Sequence, residues 1–168
     1  INGFPQNSEL ALKYLKSSTK RGCTEAAIYL SRILLEGKNL PENPEKVEKY
    51  LNPFLEKKEP IIYFLYAKAM KKMKNYSEAI KYFKKACNAG NGEAMYEYGL
   101  MLHNGEGTKK DEKQANKYFE MAKLNGFKNL NQQVVKPKNN YQPKIVDLNT
   151  FNNLNEDCQK KIIDAEKG

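Results

Sequence analysis

The stretch KYFKKACNAG, Lys81 to Gly90, returns as KYFEMAKLNG from Lys117 to Gly126. Two looser copies, KYLKSSTKRG from Lys13 and KYLNPFLEKK from Lys49, complete a set of four. Their tyrosines, Tyr14, Tyr50, Tyr82 and Tyr118, stand 36, 32 and 36 residues apart. A fixed period of this size marks a chain built by stacking one supersecondary unit. In the third copy Ala79, Tyr82, Phe83 and Ala86 follow steps of 3, 1 and 3, which is one face of an α-helix. Alanine at either end lets a neighbouring helix approach closely, while the aromatic pair fills the gap between helices. Gly90 and Gly126 then end the helix, as glycine does where the backbone must take positive φ.

A second kind of helix precedes each of these. EAMYEYGLML, Glu93 to Leu102, carries Ala94, Tyr98 and Leu102 at intervals of four, with Gly99 between. EAAIYLSRIL, from Glu25, is the same segment 68 residues earlier, with Ala26, Leu30 and Leu34 in the stripe and Ser31 for Gly99. IIYFLYAKAM, from Ile61, is the copy between them, with Ile62, Tyr66, Met70 and the small Ala67. A small residue at that site suits two helices pressed into an antiparallel hairpin.

The connecting loop repeats too, as HNGEGTKKD from His103 and EGKNLPEN from Glu36. Asn2–Asn7 matches its second half, so that Asn7 aligns with Asn43 and Asp111, and the chain starts in mid-repeat. Asn or Asp there accepts from the first free N–H groups of the next helix and so caps it. The middle copy lacks four loop residues, leaving a tight turn in KKMKNYSEA, and hence the interval of 32.

These motifs closely resemble the Sel1-like repeat family, relatives of the tetratricopeptide repeats. Ala94–Gly126 carries nearly every signature position, and Asn75–Gly90 carries the second helix in full. Residues 24–60 depart from the pattern, with Pro53 where a helix should continue and Lys58 in place of the final glycine. The resemblance implies an all-α fold: a right-handed α-α superhelix, a solenoid of antiparallel helix hairpins. Its units are a half repeat over 1–22 and hairpins over 24–58, 61–90 and 93–126, within an array spanning 1–130. It further implies an adaptor that holds a partner protein or peptide on a concave surface lined by the first helix of each pair. By helical position the residues expected there are Ala27, Tyr29 and Ile33, then Tyr63 and Leu65, then Met95, Glu97 and Met101.

Beyond the array, residues 131–149 are polar and interrupted by Pro137 and Pro143, and read as a linker or strap. Phe151, Leu154, Cys158 and Ile162 then step by 3, 4 and 4, which predicts an amphipathic helix over 150–168 that caps the array or opens a further module. Starting at Ile1 and in mid-repeat, the chain reads as a monomeric fragment of a longer one.

The net charge of +9 comes from Lys rather than Arg, 27 against 2, beside 19 Asn. Nucleic-acid readers favour Arg, whose planar fork matches phosphate and guanine edges. The excess concentrates in Lys68–Lys85, with seven Lys against Glu78 alone, and a basic patch there makes single-stranded RNA the competing partner. Three cysteines, Cys23, Cys87 and Cys158, show no metal-ligand spacing; Cys87 fits a small buried site, and the odd count favours a reducing, cytoplasmic compartment. His103, the one histidine, has no Cys or Asp at ligand or triad spacing, and Gly105–Glu106–Gly107 follows a helix rather than a strand, unlike phosphate loops. The sequence therefore predicts no catalytic residue, cofactor or metal, and no membrane-spanning segment. A third reading places this segment beside a catalytic domain of a larger enzyme.

Overall fold

The computed structural model describes residues 6–37 and 41–128, and every regular element among them is helical. They form two compact units that part between Phe54 and Leu55. The predicted linker and terminal helix, 131–149 and 150–168, lie outside the described residues.

The first unit holds α1 (Gln6–Lys20), α2 (Thr24–Glu36) and α3 (Pro44–Leu51), with α1 against α2 and α2 against α3. Helix α1 begins at Gln6, so Asn7 is inside it rather than at the capping position its alignment suggested. Its C-terminus closes through Gly22, whose N–H donates to Thr19 O at 3.1 Å while Cys23 N–H reaches Ser18 O at 3.0 Å. Those bonds satisfy carbonyls that an ending helix would otherwise leave bare. Asn43 caps α3 as expected, its Oδ1 accepting from Lys46 N–H at 2.9 Å, and Pro44 takes a first-turn position, where the missing N–H costs nothing. Pro53 then acts as the sequence warned. The α-helix stops at Leu51 and the chain tightens into a 3₁₀ segment over Asn52–Lys57, because proline removes a donor and its ring crowds the preceding turn. Lys58, standing where other copies have glycine, adopts φ +56°.

The second unit holds α4 (Pro60–Lys72), α5 (Tyr76–Asn88), α6 (Gly92–Asn104) and α7 (Glu112–Leu124). Each packs on its neighbour in sequence, α4 on α5, α5 on α6 and α6 on α7. Asn75, Asn91 and Asp111 cap the last three, accepting from Glu78, Ala94 and Gln114 N–H. The closure seen at Gly22 recurs at Gly90, with Asn91 N–H to Ala86 O at 3.0 Å, and at Gly126, with Phe127 N–H to Ala122 O at 3.0 Å. It recurs at the short turn as well, where Lys74 occupies the left-handed position at φ +61° and Asn75 N–H reaches Met70 O.

All three predicted first-helix stripes are buried: Ala26, Leu30 and Leu34; Ile62, Tyr66 and Met70; Ala94, Tyr98 and Leu102. So are Ala79, Tyr82, Phe83 and Ala86 of α5. The small site between helices is also as read. A Cβ on Gly99 would lie 2.6 Å from Phe119 Cε1 and 3.3 Å from the Ala115 carbonyl oxygen, so α6 and α7 cross at backbone distance there.

Candidate protein-interaction surface

Of the residues expected to line the inner curve, most have no surface to offer. Ala27, Ile33, Leu65, Met95 and Met101 are buried, Met101 with no exposure at all. Tyr63 retains only 9% of its surface. The expectation of an exposed Tyr–Met lining is therefore corrected. The reason is packing on more than one side. Helix α6 is held by α5 and by α7, so its apolar residues occupy a far wider arc than the single stripe of a two-helix hairpin. Helix α4 buries every residue from Ile62 to Ala67, as a helix surrounded by protein does.

Tyr29 is half-buried on α2 and Glu97 half-buried on α6. The Glu97 carboxylate is already engaged. Lys71, in the last turn of α4, reaches Glu97 Oε2 at 3.2 Å and Glu106 Oε2 at 3.3 Å. This three-way contact joins the first helices of successive hairpins to the loop after the second. Burial alone would push the Lys71 pKa down, but the two carboxylates outweigh it and hold it above the ordinary lysine value. A contact spanning 26 residues has no local sequence signature.

The lysine-rich stretch turns out to be organised by tyrosine rings. Tyr82 lies against Tyr66 with centroids 4.6 Å apart and against Tyr63 at 5.8 Å, while Tyr98 meets Tyr118 edge-on at 4.8 Å. Over these rings sit amines: Lys85 Nζ is 4.7 Å from the Tyr82 centroid and 5.4 Å from Tyr63, and Lys84 Nζ is 5.7 Å from Tyr98. Lys81 is also over Tyr82 and is paired with Glu78 at 3.0 Å. A cation over a ring face is attracted by the ring quadrupole and gives up some of its freedom.

The remaining candidate groups have structural roles. Cys87 is a free, buried thiol whose pKa burial pushes up to about 12, which leaves almost no thiolate for chemistry at neutral pH. Cys23 is disulfide-bonded, and its Sγ also caps α2 by accepting from Ala26 N–H at 3.4 Å. His103 is partly exposed, with Nδ1 4.0 Å from Glu112, itself paired to Lys110 at 2.9 Å. Gly107, at φ +67°, presses its backbone onto Tyr76, so closely that a Cβ there would collide with the Tyr76 side chain. Gly107 thus serves close approach between loop and α5, while Gly105 closes α6 in the left-handed conformation. Among the described residues no cluster of three or more His, Cys, Asp or Glu side chains could hold a metal ion, and no helix is long and apolar enough to cross a membrane.

Set against known proteins, the chain matches the Sel1 repeat model four times, over residues 2–23, 24–51, 63–91 and 92–127. The chain belongs to the Sel1 repeat family. Two solved structures share its fold. One is a Sel1 repeat protein from Oxalobacter formigenes, 22% identical with a TM-score of 0.58 over 72% of this chain and 51% of that one. The other is c5321, a protective antigen of uropathogenic Escherichia coli displaying an SLR fold, 22% identical with a TM-score of 0.56 over 68% of this chain and 26% of that one. The Sel1 match and these neighbours establish the all-α solenoid class. HcpE of Helicobacter pylori, in strains 26695 and J99, is 51% identical over 37 residues, 22% of this chain. Those residues are 10% of HcpE, so the match spans about a tenth of that relative. The name of HcpE assigns it provisionally to the beta-lactamases; that is a statement about HcpE. Sel1 repeats are in general protein–protein interaction modules.

Proposed function

We propose that this segment is a non-catalytic scaffold that holds a partner protein or peptide on its helical-repeat surface. The four Sel1 matches, which cover most of the chain, carry this reading. The way the side chains are used supports it: Tyr63, Tyr66, Tyr82, Tyr98, Met70, Met95 and Met101, with most of the alanines, are buried in the packing of the repeats. What such an array offers a partner is the polar and half-buried rim of its helices. Of the eight lining residues predicted from sequence, Tyr29 of the first unit and Glu97 of the second are half-buried rather than buried, and we assign a contact to each within its own unit; Tyr63 contributes at its edge. Base stacking by single-stranded RNA needs open aromatic faces, whereas Tyr63, Tyr66, Tyr82 and Tyr98 are buried, three of them beneath lysine amines.

Photo-crosslinking from position 29 in the full chain, expressed in its native host, tests the scaffold role. One discrete adduct that disappears on competition with unlabelled chain is expected, and no adduct from any rim position would overturn it. The non-catalytic part has its own test, prompted by the name of HcpE. Nitrocefin incubated with the chain should turn over at the rate seen in buffer; saturable hydrolysis above that rate would refute this half of the proposal.

A further inference from the structure

Within the stretch Lys68–Lys85 the positive charges have unequal fates. Lys71 is neutralised by Glu97 and Glu106, and Lys81 by Glu78. Lys84 and Lys85 have no carboxylate within 4.0 Å among the described residues. Both are exposed, and with Lys81 they form one solvent-facing stripe of α5, since positions three and four apart share a helix face. Their amines are not free to wander, because each is held over a tyrosine ring, Lys85 over Tyr82 and Tyr63 and Lys84 over Tyr98. A lysine normally gives up much of its rotamer freedom when it docks on an anion, and that loss weakens binding. Here part of the loss has already been met in the free protein.

We infer that the Lys81–Lys84–Lys85 stripe of α5 is a docking site for an acidic peptide segment of a partner protein. This rests on the scaffold reading and names the chemistry of one partner. Two pre-placed amines without a carboxylate partner on one exposed turn of α5 complement in charge a segment that presents several carboxylates. Nucleic acid fits less well. The rings lie under the amines and cannot stack with bases, and residues 55–128 contain no arginine to clasp phosphate in two-point fashion.

The test uses the full chain and a fluorescein-labelled oligoglutamate of about ten residues, followed by anisotropy at low salt. A neutral Gly-Ser peptide and an oligouridylate of matched length serve as comparators. Saturable oligoglutamate binding that weakens with added salt is expected. The double variant Lys84→Gln/Lys85→Gln should lose about five- to tenfold in affinity, two modest ion pairs being removed. A second pair on α7, Lys113→Gln/Lys117→Gln, changes the net charge by the same amount and should leave the affinity within about twofold. Equal loss in both double variants would reduce the effect to overall charge and overturn the inference, as would tighter binding of the oligouridylate or no binding of oligoglutamate. Both double variants should keep the helical circular dichroism of the parent. If the position-29 adduct persists while oligoglutamate fails to bind, the docking site alone falls; if no adduct forms anywhere, the scaffold reading falls with it.

Discussion

Lys74 and Gly90 perform the same task with different means. Each sits at the left-handed position that lets a helix end and the next begin, with φ of +61° and +81°. A side chain in that conformation costs about 1–2 kcal/mol, and glycine gives back roughly half of the relief through its freer unfolded state. Lys74→Gly should therefore raise stability by about 0.5 kcal/mol, read as a higher urea midpoint at unchanged slope. Gly107→Ala goes the other way. It combines positive φ with a collision against Tyr76, and should cost about 2–4 kcal/mol in the same assay. Cys87, with its pKa pushed up to about 12 by burial, should resist Ellman's reagent at pH 8 in the folded chain and react at once in urea. Prompt reaction without denaturant would show that its site is open. Residue-level features of this kind were legible early. Glycine closures, Asn and Asp caps and the disruption by Pro53 all rest on local backbone geometry, which a short stretch of sequence encodes in full. Asn7 was misplaced because a helix start can slide by a residue or two without disturbing the stripe that identifies it.

At the scale of helices, what the sequence concealed was how many sides each one buries. Spacing identified the stripe of α6, Ala94–Tyr98–Leu102, but not that Met95 and Met101 outside it are buried as well. Periodicity reports the strongest direction of burial; it says nothing of a second packed face until the neighbours are in place. The same holds for Lys71, whose partners come from α6 and the loop beyond it. Lys71→Met leaves two partly buried carboxylates without their cation and should cost about 1–2 kcal/mol, between the values for surface and buried pairs. The sign of its pH dependence follows from the raised pKa. A cation bound more firmly in the folded state contributes its full stabilisation below the unfolded lysine pKa, and loses it as pH climbs through the higher folded value. Denaturation midpoints of the parent and Lys71→Met should thus differ at pH 7 and converge in strong alkali. A gap that stays constant would mean the methionine acts through packing rather than charge.

Over the whole molecule, energetics in a repeat array accumulate from neighbour to neighbour. Helix α6 is flanked by α5 and α7, whereas α7 has α6 as its principal neighbour among the described residues and leaves Leu124 84% exposed. Native-state amide exchange should accordingly be slowest in α6 and faster in α7; the reverse order would show that something beyond these helices clamps α7. The recurrent backbone closure at Gly22, Gly90 and Gly126 has a practical consequence. Gly90–Asn91 is a seam of standard shape, so Asn91–Gly126 could be duplicated in tandem at that point and the duplicate would meet matching hydrogen-bond partners at both joints. A chain so lengthened should gain helix content in proportion to the insert, making this protein a ruler whose reach is set by counting modules.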